Sequence, residues 1–506
     1  IYLKPSDIVL VEKGKGSRIW QVVYFLKSKV LQVLQQHIRK SEGRLGIAEA
    51  LLIGYRSDLD KEVLQTYTNT GVVHIIAISG MHLGLIYLTL AWILNRLPIL
   101  KNKKWTKAIV LLVCLWFFSM MTGASASVLR SAVMFTCIVV GDVLERSSTI
   151  INSLAASAFL LLVYNPYFLW DVGFQLSYLA ILGIVIFQKP IKQLLSSENK
   201  LLRKIYDMCA VTLAAQLLTF PVSLYYFHQF PVYFLFSNLL AIPLSTIILF
   251  EEILLLCISP FSMLTHWLSQ VIEFSISCMN RWISFVNEIP GAVINNIGLD
   301  LQMIVLLYLI IYFMSIAFFR KKKKMLTVSF VLLFIFTSLK ALTFLKYNRQ
   351  RQLVIYNIPG RDAFGFVNGR SISIFADSGI IQDQKTIQFF IQPSFAFFGV
   401  SPENVKWSLI PSQPSCFSNG NFKMIVAGKS GEANTFPDSG FVDLLLLTGK
   451  SRLTISEAIS SHRPDIFILS SSASLWKIAQ WEKEADSLHL HCISITKEGA
   501  FLAGFQ

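Results

Sequence analysis

Apolar positions fill the first two thirds of the chain in long runs separated by short charged segments, and the last third alternates apolar and polar residues over short stretches. Residues 1 to 18 are short, strand-like and polar at the end. From 19 to 40, Trp20, Val23, Tyr24, Leu26, Val30, Leu31 and Leu34 recur at helical spacing among Lys and Gln. That mixture is too polar to cross a bilayer and predicts an amphipathic helix on the membrane surface. Residues 41 to 70 read as a polar helical stretch carrying Arg56, Asp58 and Asp60.

A helix needs about twenty apolar residues to span, which places ten spans near 72 to 95, 106 to 122, 128 to 145, 149 to 164, 168 to 188, 207 to 226, 232 to 258, 262 to 288, 302 to 319 and 325 to 345. Asp142, Glu145 and Arg146 crowd the junction of the third and fourth. Pro243 interrupts the seventh, where Glu251 and Glu252 also sit deep. After Lys346 the pattern changes to a soluble α/β succession: strands at 353 to 358 and 371 to 379 around a turn, buried strands at 441 to 447 and 465 to 469, a helix over 473 to 487, and a last strand pair at 490 to 496 and 500 to 504.

Composition agrees with a membrane protein, with 54% hydrophobic residues, 39 Phe and a mean hydropathy of +0.56, beyond what a soluble domain carries. A start at Ile1 rather than Met predicts a piece of a longer protein. Cys114, Cys137, Cys209, Cys257 and Cys278 fall in apolar spans, where Cys acts as a small hydrophobe; Cys416 and Cys492 have the chemistry to pair in an oxidising compartment, but spacing does not require it. The net charge of +15 invites a nucleic-acid reading, yet its location favours topology. Arg96, Lys101, Lys103, Lys104 and Lys107 form one basic loop; Lys189, Lys192, Lys200, Arg203 and Lys204 a second; Arg320 and Lys321 to Lys324 a third. Such clusters beside apolar spans mark cytoplasmic loops. With ten spans all three fall on one side, and residues 1 to 70 and the C-terminal region fall outside.

The polar chemistry inside the membrane centres on residues 71 to 90, where His74, Ser79, Gly80, His82 and Gly84 interrupt an apolar run. Ionisable side chains at membrane depth are expensive and face a bundle interior or a water-filled path. Ser79-Gly80 also invites a break in the helix. The stretch therefore reads as a broken or re-entrant helix lining a path; the alternative is two satisfied core histidines beside a helix-packing glycine. Ser79 and His82 share a helical face, as do Asp171, Gln175 and Tyr178. Arg130 is the natural counter-charge for Asp171, since one unpaired charge at mid-membrane costs ~3 kcal/mol, and a structural pair fits as well as a pathway one. Ser125, Ala126 and Ser127 read as small residues that let helices approach.

His74-Ile-Ile-Ala-Ile-Ser79-Gly80-Met-His82 resembles the central membrane signature of the ComEC family of competence proteins. Gly123-Ala-Ser125-Ala-Ser127-Val-Leu-Arg130-Ser-Ala-Val-Met134 is similar to the family's small-residue and arginine motif, and Asn165-Pro166 with Asp171-Val-Gly173-Phe174-Gln175-Leu-Ser177-Tyr178 to its Phe-Gln-Leu-Ser motif. The likeness continues more weakly through Gln216, Pro221 and Asn238 to Pro243. The resemblance implies a polytopic α-helical membrane protein with a C-terminal soluble α/β domain of the metallo-β-lactamase-like kind. It implies the tail of an extracytoplasmic OB-like region at 1–18, interfacial helices at 19–70, a transmembrane channel at 71–346 and an extracytoplasmic domain at 350–506. Its function would be import of single-stranded transforming DNA across the bacterial inner membrane. The implied partners are single-stranded DNA, the lipid bilayer, a cytoplasmic ATPase or helicase and DNA-protecting proteins, and the pathway residues are His74, Ser79, Gly80, His82, Gly84, Arg130, Asp171, Gln175 and Ser177.

The C-terminal likeness is to the scaffold alone. An active domain of that type gathers His and Asp around metal, but no His occurs between His266 and His462, and Thr448-Gly449-Lys450-Ser451 stands where a Gly-His-His-Gly-like motif belongs. No catalytic residue, metal ligand or cofactor is expected; His462, His489 and His491 read as surface or strand residues, and Asp377, which matches the family's early strand-end Asp, as a turn residue. Gly428-Lys429-Ser430 and Gly449-Lys450-Ser451 end like a phosphate-binding loop, but Lys423 and Leu444 stand where its leading Gly belongs. Energy for transport would then come from a partner or a gradient. Two other classes compete with the channel: a membrane-anchored extracytoplasmic nuclease, which the missing ligands oppose, and a small-solute permease, for which broken helices are equally apt but no inverted repeat is visible.

Overall fold

The computed structural model describes residues 17–78, 80–98, 103–145, 149–194, 198–411, 413–419, 422–427, 442–461 and 464–505. The chain divides into two compact units, Ile1–Asn295 and Asn296–Gln506, a division some fifty residues before the composition change at Lys346. Residues 1 to 16, expected to be strand-like, lie outside the described residues.

The first unit opens with α1 (Arg18–His37), which buries Val23 and Leu34 and leaves Ile19, Trp20, Val22, Tyr24 and Phe25 exposed. The helix lies where its periodicity predicts, but the expected apolar face is split, with Val23 and Leu34 buried and Trp20 and Tyr24 exposed. α2 (Arg44–Ile53) departs from expectation: Leu45 to Ile53 are all buried. Its apolar residues form the centre of the unit's largest core, against Ile248, Leu249 and Leu255 of α11 (Phe234–Ile258) and Ile272, Ile276, Met279 and Ile283 of α12 (Ser262–Glu288). A Cβ on Gly46 would lie 2.8 Å from Leu59 Cα, so α2 meets the loop before α3 (Lys61–Asn69) where only glycine fits. The one buried charge on α2, Glu49, accepts from Gln35 Nε2 at 3.0 Å.

Then follow α4 (Val73–Ile76), α5 (Gly80–Arg96), α6 (Lys104–Met121), α7 (Ala126–Val143), α8 (Ile150–Tyr164), α9 (Val172–Leu194) and α10 (Lys200–Phe227). α13 (Leu301–Phe319) and α14 (Lys323–Arg349) begin the second unit. Among the described residues, seven helices are long and apolar enough to cross a membrane: α6, α7, α9, α10, α11, α13 and α14. The ten-span reading is therefore not reproduced by length and composition. α5 and α8 have only 17 and 15 residues, and α12 is long but carries Thr265, Ser269, Glu273, Asn280 and Arg281 among its apolar positions. The stretch from 72 to 95 is two helices rather than one. Pro243, expected to interrupt, sits inside a continuous α11; of the two deep carboxyls on that helix, Glu252 is fully buried and Glu251 Oε1 accepts from Ser275 Oγ at 3.2 Å.

A short antiparallel pair, β1 (Phe230–Pro231) and β2 (Val293–Ile294), belongs to the first unit, and the second unit continues as two five-stranded sheets. The first has the order β12-β3-β4-β5-β6, and the second β11-β10-β9-β8-β7. In the first, β3 (Arg351–Ile355), β4 (Ala363–Asn368), β5 (Ser371–Ala376) and β12 (Phe501–Gly504) pair antiparallel, with β6 (Val405–Leu409) parallel to β5. In the second, β8 (Phe422–Ala427), β9 (Val442–Leu447), β10 (Pro464–Leu469) and β11 (Cys492–Ser494) are parallel, and β7 (Ser415–Asn419) is antiparallel to β8.

The two sheets face each other. Leu353, Ile355 and Phe364 of one pack with Met424, Leu444, Leu446 and Ile468 of the other. Period-two alternation then turns Leu445, Leu447, Phe467 and Leu469 outward onto the helix Leu475–Ser487, through Ile478 and Trp481. On the opposite side Val354, Ile372 and Ile374 pack on Phe395 and Phe398. The result is an α/β/β/α sandwich whose central strands, covered on both faces, are the apolar runs the sequence displays. The last two strands do not pair with each other, since β11 joins β10 and β12 joins β3. Cys416 and Cys492 do not bridge each other: they lie on the two edge strands of the second sheet with three strands between them, a separation of roughly 19 Å and far beyond disulfide reach. Burial and the carboxylates of Glu482, Asp486 and Glu498 push the Cys492 thiol up to about 12, so it is not a reactive thiolate.

Candidate functional site

The site is built where α4 stops. Ile75 and Ile76 stiffen the chain at χ1 and favour extended backbone, and Ala77 leaves the helix at φ −83°, ψ 122°. α5 starts at Gly80; Ser79, between them, lies outside the described residues. A Cβ on Gly80 would sit 2.8 Å from Arg130 Nη2 and closer still to Ser131 Oγ. The break thus brings bare backbone against a buried guanidinium and hydroxyl on α7. His74 is exposed on α4, while His82 is fully buried one turn into α5. Gly84 faces Phe135, whose Cζ would lie 3.3 Å from a Cβ there, and Tyr87 stacks on the same ring at 4.9 Å.

Arg130 is 2% exposed. Its Nη2 donates to Ser131 Oγ at 3.1 Å, and its guanidinium lies 5.6 Å from the centre of the Tyr178 ring. Among the described residues, Nε and Nη1 make no hydrogen bond. The seam between α7, α8 and α9 is otherwise polar and small: Ser127 Oγ and Ser177 Oγ are 3.4 Å apart, and Tyr178 OH meets Ser157 Oγ at 2.9 Å. Ser127 therefore has the helix-approach role its size predicts.

The expected Arg130–Asp171 pair is not among the ion pairs of the described residues. Asp171 is exposed and its Oδ1 accepts the Phe174 N–H at 2.7 Å, which makes it the N-cap of α9. Asn165 plays the same part for the 3₁₀ turn Pro166–Trp170, accepting from Tyr167 N–H at 3.0 Å. Gln175 donates to Leu169 O at 2.8 Å and to Tyr226 OH at 3.4 Å, tying α9 to that turn and to α10. Six of the predicted residues thus fall into two groups. Gly80, Arg130, Ser127 and Ser177 lie with Ser131 and Tyr178 along one packed seam, whereas Asp171 and Gln175 organise the start of α9. Ser131 and Ser157 were missed; Ser131 stands next to Arg130 in the chain, but nothing in the sequence says that Gly80 would rest on it.

In the C-terminal sandwich, Asp377 is more than a turn residue. Its Oδ2 accepts the Asp362 N–H at 2.9 Å and its Oδ1 takes the Lys450 ammonium at 2.5 Å. Asp362 is buried and accepts from Ser470 Oγ; burial raises its carboxyl above the usual range, with the Ser470 and Ser472 hydroxyls pulling the other way. Ser472 Oγ in turn accepts the Gly449 N–H at 2.7 Å. Thr448-Gly449-Lys450-Ser451 thus supplies an ammonium to the strand-end carboxylate. Among the described residues, no group of three or more His, Cys, Asp and Glu is placed to hold a metal, and a cation-bearing side chain on Asp377 does not fit such a centre. His489 and His491 are exposed as expected, and His462 and the 428–430 segment lie outside the described residues.

Among the described residues, seven helices fit to cross a bilayer, a polar seam among the first unit's helices and a C-terminal α/β sandwich define a polytopic helical membrane protein. The family described as Competence protein matches residues 51–321, more than half of the chain, and the family described as ComEC C-terminal domain matches residues 353–505. The chain belongs to the ComEC family of competence proteins. It is 33% identical over 265 residues to ComE operon protein 3 of Bacillus subtilis (strain 168), covering 49% of this chain and 33% of that protein. It is 26% identical over 151 residues to an uncharacterized protein of Aquifex aeolicus (strain VF5), covering 30% and 35% of the two chains. The uncharacterized protein YcaI of Escherichia coli (strain K12) is 26% identical over 204 residues, covering 39% and 26%. The matched stretch spans about a third or less of each relative. No solved structure matches.

Proposed function

We propose that the chain forms the membrane channel of a DNA-uptake system, importing single-stranded transforming DNA across the bacterial inner membrane, with the α4–α5 break and Arg130 at its constriction. The observation that carries this reading is Arg130, buried at 2% exposure with the Nε and Nη1 donors unspent among the described residues and hydroxyls on either side. A buried guanidinium is costly unless something completes its hydrogen bonds, and a passing phosphate oxygen would do so bidentately. Gly80, without a side chain, keeps the backbone clear at that point. His74, Ser79, His82, Gly84 and Ser177 complete the proposed wall, while Asp171 and Gln175 shape it by fixing α9. A cytoplasmic ATPase or helicase and DNA-protecting proteins are proposed to receive the strand. The test is deletion of the gene and uptake of labelled DNA, with capture at the cell surface and arrival in the cytoplasm scored separately. Capture should persist while arrival is lost; unchanged arrival would sink the proposal.

The sidedness proposed with it puts the N-terminal region and the C-terminal sandwich outside the cytoplasm. It counts α5, α8 and α12 as spanning together with the seven helices long and apolar enough to cross, so that the three basic loops share the cytoplasmic face. Alkaline phosphatase fused after Lys346 should be active there, and a fluorescent protein dark. The reverse pattern would show an odd error in the span count.

For the sandwich we propose a metallo-β-lactamase-like scaffold without metal hydrolase activity, because Lys450 neutralises Asp377 where the family's cation would need it. Full-length protein given labelled DNA and manganese or zinc should leave it intact; cleavage that a chelator abolishes would overturn this.

A further inference from the structure

A cleft of the first unit lies away from the seam. It measures about 800 Å³ and is formed where the α1–α2 junction meets the exposed side of α12. Three arginines line it, Arg39, Arg44 and Arg281. Glu273 holds one of them and the backbone of another: Oε2 pairs with Arg44 Nη1 at 3.2 Å, and Oε1 accepts the Arg39 backbone N–H at 2.8 Å, with Arg39 Nε 4.0 Å from Oε2. Glu42 takes Arg44 Nη2 at 2.7 Å. Arg281 makes no ion pair among the described residues and is exposed. The wall also carries Phe274 and Phe285, both exposed, and Trp282, which lies tilted against Phe285 and Phe236 with its ring 6.1 Å and 4.5 Å from theirs.

From this geometry we infer that the cleft is a binding site for one anionic phospholipid, its phosphate on the arginines and an acyl chain along Phe274, Trp282 and Phe285. Charge selects this occupant over a nucleic-acid strand. Three guanidinium groups against two carboxylates leave one net positive charge, a match for one phosphodiester, whereas a strand needs a cationic track along several phosphates. Shape agrees, because basic pockets between helices that open onto an apolar face take lipid headgroups. The apolar wall continues along the exposed row of α12, Met263, Leu264, Trp267 and Val271, which presents a surface to hydrocarbon. The volume is that of an ordinary ligand site, enough for a headgroup and part of a chain.

The carboxylates position the site. By holding Arg44 between them, Glu273 and Glu42 remove part of the side-chain entropy a ligand would otherwise have to overcome. Arg281 is left as the contact that discriminates: a zwitterionic headgroup brings its own cation against it, and a phosphatidylglycerol does not.

The test uses the full chain, stripped of lipid in detergent and titrated with phosphatidylglycerol or phosphatidylcholine while bound lipid is counted by native mass spectrometry. One phosphatidylglycerol should be retained in preference to phosphatidylcholine, and Arg281→Gln or Arg39→Gln should each weaken it about fivefold. Both side chains are exposed, and elution of the variants on a sizing column checks that they remain folded; should Arg39→Gln not fold, Arg281→Gln alone decides. Equal retention of the two lipids, or an Arg281→Gln protein with undiminished preference, overturns the assignment. So does displacement of the lipid by a short oligothymidylate, which would make the cleft a nucleic-acid site. The assignment does not rest on DNA import, and its failure would leave that reading as it stands.

Discussion

Gly80→Ala, a change of one methyl group, should lower cytoplasmic arrival of labelled DNA at least tenfold, and Gly80→Leu should abolish it. The new Cβ would land 2.8 Å from Arg130 Nη2 and on top of Ser131 Oγ. Overpacking of this kind costs ~1–3 kcal/mol, and relief requires the Arg130 guanidinium or the Ser131 hydroxyl to move. The seam account and the conduction account part on a second variant. Ser131→Ala removes the oxygen that the methyl strikes, so Gly80→Ala with Ser131→Ala should recover its level in the membrane. If Gly80 only admits a neighbouring helix, import recovers in step. If the glycine keeps a passage open, import stays low in a protein that is again abundant. Normal level and normal import in Gly80→Ala alone would show that the contact is slack and that the break is not where the protein is sensitive.

The sequence carries local order well. The broken helix is legible because an apolar run with Ser79-Gly80 and two imidazoles has no use for those groups on a lipid face, and α1 because its apolar positions recur at helical spacing. The sandwich's buried strands are legible because strands covered on both faces lose their alternation, as Val442 to Leu447 does. What is not legible is which distant groups meet. Asp171 beside an Arg-containing span invites a charge pair, yet four residues of backbone decide otherwise: the carboxylate precedes Val172-Gly173-Phe174 and caps the helix they begin. The Lys450–Asp377 bond joins positions 73 apart, and the arginine cleft is assembled from residues 39–44 and 270–285, so no window of sequence shows aromatic and basic residues together. α2 reads as polar in the company of Arg56, Asp58 and Asp60, but those charges sit outside the helix, and its own ten residues are nearly all apolar.

The capping role of Asp171 changes what neutralisation should do. Asp171→Asn should be close to silent, since Asn caps nearly as well, and Asp171→Ala should lose ~1 kcal/mol; exchanging the two charges, Arg130→Asp with Asp171→Arg, should rescue nothing. Arg130→Met is the informative variant. Replacing a buried charge by an apolar side chain of similar length is often neutral or stabilising, and here it also removes two donors that no described residue accepts from. The membrane level of the protein should therefore hold or rise. Cytoplasmic arrival of DNA should nevertheless fall on the order of tenfold to a hundredfold, the worth of a lost charge-assisted hydrogen bond to phosphate. Arg130→Lys should fall between, because an ammonium keeps the charge but not the planar fork or its stacking on Tyr178. A purely structural arginine predicts the opposite order, with import following protein level in every variant. An Arg130→Met protein that imports as well as the parent would remove the guanidinium from the path and leave it as a packing element of the α7–α9 seam.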